Sequence, residues 1–93
     1  MNYVLIIHEV ASYSDWKQGF DSAAKLRKEA GELEYQVLQY EDDTNKVVHF
    51  SKWQSHEQAR SFFESERVQR IRNELGVKKP KFIYLNQSEF GVL

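Results

Sequence analysis

The chain has no cysteine, one proline and four glycines in 93 residues. Without cysteine there is no disulfide framework, no thiolate nucleophile and no sulfur-based metal site. So little proline and glycine leaves no flexible linker, and no repeat or low-complexity tract occurs. Neither sign of charge dominates: 13 Lys and Arg face 14 Asp and Glu, a formal net charge of -1. No global field therefore draws the chain to nucleic acid or to an acidic membrane. The longest apolar run falls far short of the roughly 20 residues that span a bilayer. No charged-then-apolar leader opens the chain, so a cytoplasmic location is the expectation.

Aromatic residues are plentiful, at 14%, and the apolar pattern begins with Tyr3 to Val10, YVLIIHEV. Its first stretch, Tyr3 to Ile7, is apolar throughout, so neither face of such a strand is polar and both need cover. A chain of this length forms one domain with one core. Its own helices can cover one sheet face, which leaves the other for a second copy of the chain.

Ser12 followed by Asp15 marks a helix start, and the spacing of Trp16, Phe20, Ala23, Ala24 and Ala30 predicts one helix over 13–30, stopped at Gly31. Arg27 falls in the middle of that apolar stripe. Gly19 lies inside the helix, where it costs about 1 kcal/mol relative to alanine, and points either to a close backbone approach or to simple tolerance. Alternation predicts a strand over 33–41 with Tyr35, Val37 and Gln39 on one face, a polar turn over 42–45, and a returning strand over 46–53 with Val47, His49, Ser51 and Trp53 on one face. Ser55 with Gln58 caps a second helical segment carrying Ala59, Phe62 and Phe63. Val68, Ile71 and Leu75 would fall on its opposite side, so the segment must break near residues 64–66, with Ser65 as the new cap. Pro80 then opens a last strand over 81–86. The order is βαββαβ: an α+β, ferredoxin-like fold with a four-stranded antiparallel sheet. The tail, residues 87–93, carries Phe90, Val92 and Leu93 with nothing local to cover them, and is expected to pack on a neighbouring subunit.

His8 to Val10 with Trp16, then Phe20, Asp21, Arg27 and Gly31, the acidic hairpin turn, Trp53 before a capped helix with Ala59 and Phe62, and Gly76-Val77 before Pro80 and Tyr84 together resemble the antibiotic-biosynthesis-monooxygenase-like dimeric α+β barrels. The resemblance covers nearly the whole chain. It implies that two four-stranded sheets pack into a barrel while each subunit keeps a cavity between sheet and helices. Members of that superfamily include cofactor-free oxygenases of polycyclic phenols, haem-degrading enzymes, isomerases and cyclases. Of the haem-degrading pattern of Asn, Trp and His, positions near His8, Trp53 and Arg72, only Trp53 is present. The resemblance therefore does not imply haem degradation, and no cofactor is expected.

His8 is the most informative side chain, because a polar group on an otherwise apolar strand needs a partner once buried. It reads either as a base or donor facing the cavity or as a satisfied core histidine. Arg27 reads either as a guanidinium presented to a bound anion or as half of a structural ion pair with Glu9 or Glu34. These two are the candidate catalytic residues. Trp16, Tyr35, His49, Trp53, Phe62 and Phe63 are the candidate lining of a pocket for a small aromatic or apolar ligand, or else core. Arg72 reads as solvated. His8 and His49 lack a third metal-ligating companion, so no metal site is expected. RNA binding is disfavoured, since the strand over 46–53 lacks the basic-glycine-aromatic signature. Two functions follow: a cofactor-free monooxygenase, isomerase or cyclase working on an enolisable or aromatic substrate, or a ligand-binding protein without chemistry.

Overall fold

The computed structural model describes residues 1–93. Its elements run β1 (Asn2–Val10), α1 (Tyr13–Ser22), α2 (Ala24–Ala30), β2 (Glu32–Tyr40), β3 (Asp43–Trp53), α3 (His56–Phe63), α4 (Glu66–Glu74) and β4 (Val77–Asn86). The four strands form one antiparallel sheet in the order β2-β3-β1-β4, the ferredoxin-like arrangement expected from the sequence. All helices lie on one face. No helix is long and apolar enough to cross a membrane.

Strand alternation decides what each face carries. Val4, Ile6, His8 and Val10 of β1 point to the helices and are buried, as are Val47, His49, Ser51 and Trp53 of β3. Against them pack Trp16 and Phe20 of α1, Ala59 and Phe63 of α3, and Val68 of α4. On the other face Tyr3, Leu5, Ile7, Val48 and Phe50 are half-buried, with the Tyr3 and Phe50 rings stacked 5.1 Å apart. Leu38, Tyr40 and Leu85 are exposed. Within one subunit the first strand thus has cover on one side only. Phe90, Val92 and Leu93 are exposed as well.

Four boundaries differ from the sequence reading, each for a local reason. The expected single helix over 13–30 is divided at Ala23 (φ −93°, ψ 6°). There the Phe20 carbonyl accepts from the Arg27 guanidinium as well as from the Ala23 amide, and a charged donor drawing on a helix carbonyl loosens the ladder at that turn. The hairpin is tighter than expected, with Glu41 and Asp42 as its turn. The irregular start of β3 is filled by side chains, Asp43 Oδ1 accepting from the Asn45 amide at 3.0 Å and Gln39 Nε2 donating to the Thr44 carbonyl at 3.0 Å. Strand β2 opens at Glu32, and a register slip between Glu32 and Glu34 turns Glu32 inward. Strand β4 starts before Pro80. Being an edge strand, it tolerates the missing donor, and a register slip opposite His8 accommodates Lys79 at φ 49°.

The break between α3 and α4 falls where expected. Ser65 accepts from the Val68 amide at 3.3 Å, and Ser55 from the Gln58 amide at 3.1 Å, so each helix has its own cap.

Candidate active site

Between the sheet and the helices lies a cavity of about 80 Å³. Strands supply Ile6, His8, His49 and Val77, and the helices line the rest with side chains that include Trp16, Phe20, Arg27, Phe62, Phe63 and Arg72. His8 and Arg27 therefore line one space with Trp16, His49, Phe62 and Phe63. Trp53 and Tyr35 do not line it. Trp53 is fully buried behind the wall, its indole N–H donating to Ser51 Oγ at 2.8 Å and its ring 5.3 Å from that of Phe63. Tyr35, on the edge strand, is half exposed and meets Phe20 and His49 edge-on from outside, at 5.4 and 6.3 Å.

Arg27 is 4% exposed, and its ionic partner is neither Glu9 nor Glu34 but Glu32. Arg27 Nε donates to Glu32 Oε1 at 2.8 Å, while Glu32 Oε2 lies 2.8 Å from His49 Nε2. The guanidinium also sits over the Phe20 ring, 3.6 Å from its centre. A buried carboxylate shared by two cationic-type groups satisfies all three, which is what burial of charge demands. Sequence reasoning missed Glu32, since simple alternation would have aimed it at the open face. Only the slip at the start of β2 reverses it.

His8 has no such partner. It is 6% exposed, and neither ring nitrogen makes a hydrogen bond. Its nearest aromatic neighbour is Trp16, with ring centres 5.2 Å apart. Burial, followed by the nearby His49 and Arg72, lowers its pKa from 6.5 to about 4, so the imidazole is neutral at pH 7. The third unpartnered polar atom is Arg72 Nη1. Contrary to the solvated position expected from sequence, Arg72 lines the cavity, with its guanidinium 5.1 Å from the Phe82 ring centre. It lies one turn after the buried Val68 on α4, a spacing that could have placed it there. Burial lowers its pKa. No carboxylate lies within salt-bridge distance of it. The three unpartnered buried atoms belong to two residues facing one space, and native interiors rarely leave such groups unsatisfied without cause.

Gly19 also has its explanation at this cavity. A Cβ at this position would lie 2.3 Å from Leu75 Cδ2, so α1 and the end of α4 meet through the missing side chain. No three metal-ligating side chains come together.

Comparison with known proteins follows the same lines. SnoaB, a cofactor-independent oxygenase from Streptomyces nogalater, is similar with a TM-score of 0.79 at 13% identity, over 96% of this chain and 94% of that one. The monooxygenase from the gene ActVA-Orf6 of Streptomyces coelicolor, solved with nanaomycin D, is similar at 0.66 and 17%, over 99% and 90%. Rv0793 from Mycobacterium tuberculosis is similar at 0.67 and 15%, over 99% and 100%. At such identities the likeness shows a shared fold. Among curated proteins none matches the sequence. Residues 11–74, well over half the chain, match the sequence model of antibiotic biosynthesis monooxygenase, and the chain belongs to that family.

Proposed function

We propose that this chain is a cofactor-independent monooxygenase, one domain over residues 1–93, that oxidises a small aromatic or enolisable substrate in the cavity beside His8. The observation that carries this reading is the set of three buried nitrogens without a hydrogen-bond partner, both of buried His8 and Nη1 of half-buried Arg72, on two residues that line the same space. The neutral imidazole can accept a proton from an acidic O–H or C–H. The Arg72 guanidinium, in a site walled by aromatic rings, then stabilises the resulting phenolate or enolate. Burial is the main reason the imidazole stays neutral, and that anion opposes the nearby groups that add to it, so proton uptake by His8 and anion formation favour each other. Arg27 acts one step away, through Glu32, by fixing His49 at the cavity wall. Trp16, Phe62 and Phe63 form its apolar sides, Trp53 backs Phe62 and Phe63, and Tyr35 backs His49.

The electron-rich anion supplies the reducing equivalents. For a substrate with an acidic methylene, the anion passes one electron to O2 and the radical pair joins to give a peroxide at carbon. Loss of the second C–H with O–O cleavage leaves a carbonyl, and the other oxygen departs as water. Both electron pairs come from the methylene, so no external reductant is needed. The likeness in fold to SnoaB supports this reading.

Oxygen uptake during turnover tests it. Arg72→Met is expected to lower kcat by about 10²–10³-fold, the range seen when one oxyanion donor is removed, with a smaller effect on KM. Turnover without oxygen consumption would turn the assignment to an isomerase or cyclase. Unchanged turnover in Arg72→Met and His8→Ala would overturn the roles of both residues.

The same proposal has a second copy covering the open sheet face, where Tyr3, Leu5, Ile7, Phe50 and Leu38 meet solvent in one subunit. The exposed tail, residues 87–93, then packs on that copy. Sedimentation at micromolar concentration should show a homodimer, and truncation after Gln87 should shift it toward monomer. A monomeric full-length chain would remove this part. A cytoplasmic location belongs to the proposal too, supported by the absence of cysteine.

A further inference from the structure

We infer that the cavity beside His8 takes a compact monocarboxylate bearing a hydroxyl or keto group, a molecule the size of glycolate or pyruvate, rather than a fused-ring phenol. This rests on reading that cavity as the reaction site, and it names the class of ligand. Three observations carry it.

Size comes first. The space of about 80 Å³ is well below the roughly 300–1,000 Å³ of sites for drug-sized ligands. Widening it toward Trp16, Phe20 and Phe63 means moving the core itself. Trp16, Phe20 and Phe63 are 4%, 7% and 6% exposed, and Phe20 lies directly under the Arg27 guanidinium. Displacing that ring would unseat the Arg27–Glu32–His49 chain. The seam between α1 and α4 is closed by Leu75 against Gly19.

Charge comes second. Arg27 is paired with Glu32, whereas the other guanidinium lining the cavity, that of Arg72, has no carboxylate within salt-bridge distance. One negative charge completes the site.

Hydrogen-bond inventory comes third. Arg72 Nη1 needs an acceptor, which a carboxylate oxygen supplies. Neutral His8 offers one N–H and one lone pair, whichever tautomer it adopts. A hydroxyl, or the enol of a keto acid, can meet either, while a purely apolar ring meets neither.

The test is a titration of the full-length ¹⁵N-labelled protein with glycolate, pyruvate, acetate and 1-naphthol, following the side-chain nitrogens of His8 and Arg72 by NMR. Saturable shifts of both residues are expected with glycolate and pyruvate, and weaker binding is expected for acetate. In Arg72→Met the affinity for glycolate should fall at least tenfold, with Arg72→Lys retaining part of it. His56, on the surface with its Nε2 at the Leu85 carbonyl, should not respond. No saturable shift with either glycolate or pyruvate would overturn the inference, as would 1-naphthol saturating the His8 shift at lower concentration than they do. The two readings fail separately. Carboxylate binding without oxygen uptake leaves this inference and removes the oxygenase, whereas oxygen uptake with 1-naphthol and no carboxylate binding does the reverse.

Discussion

Replacing Glu32 with alanine is expected to lower the unfolding free energy by about 3–5 kcal/mol, the loss typical of breaking one side of a buried ion pair. The carboxylate is the common acceptor for Arg27 and faces His49, with all three residues under one-tenth exposed. Alanine leaves the guanidinium buried over Phe20 with the Phe20 carbonyl as its one hydrogen-bond acceptor. The penalty is therefore that of an uncompensated charge rather than of a missing contact. Glu32→Gln should lose somewhat less than alanine, because an amide keeps a hydrogen-bond acceptor for Arg27 although the guanidinium charge stays uncompensated. The double variant Arg27→Met, Glu32→Leu should recover most of the alanine loss, since removing both charges together is often neutral. Urea unfolding with an unchanged m-value would measure each step. A loss below about 1 kcal/mol in Glu32→Ala, the size of an exposed pair, would mean that the network is not closed to water.

The opposite sign is expected at His8. Replacing it with leucine should raise stability by about 1–3 kcal/mol at pH 7, because it removes polar atoms that are buried without partners, while turnover falls by about 10²–10⁴-fold for loss of the general base. A gain in stability with a loss of chemistry is the mark of a site held ready at the expense of the fold. The pH dependence sharpens this. The folded-state pKa of about 4 lies below the unfolded value of 6.5, so between the two the unfolded chain binds more protons and stability falls as pH falls. His8 therefore contributes its full share above about pH 6.5, and the wild-type chain should lose about 3 kcal/mol between there and pH 4. That loss should be absent in His8→Leu, so the two stability curves should diverge by this amount across the window. Parallel stability profiles for the two proteins across this window would show that His8 finds a partner in solution.

How far each group could be read from the chain depends on which interactions place it. Alternation grouped Val47, His49, Ser51 and Trp53 on one side of β3, but in β1, apolar on both sides from Tyr3 to Ile7, only the packed structure shows that Val4, Ile6 and His8 face the helices. The break before Ser65 was legible because Phe62 and Phe63 could not share a stripe with Val68 and Ile71. Arg27 was legible as an anomaly, a charge at the centre of an apolar stripe, but its partner was not. Glu32 reaches it through a register slip that no residue type announces. Arg72 was misplaced because it flanks the apolar stripe of α4, and only the packed structure shows its guanidinium against Phe82 of β4 at the cavity.

Local patterning and capping thus determined the order of elements, the antiparallel hairpin, the grouping of side chains on β3, and the presence of an imidazole on the first strand. These depend on neighbours a few residues apart. Only the tertiary structure decided that His8 is left without a partner, that Glu32 joins Arg27 to His49, that Arg72 completes the cavity, and that Trp53 stands behind its wall. Each of those depends on a slipped register or a helix crossing, where groups far apart in the chain meet at distances that only the packed core sets.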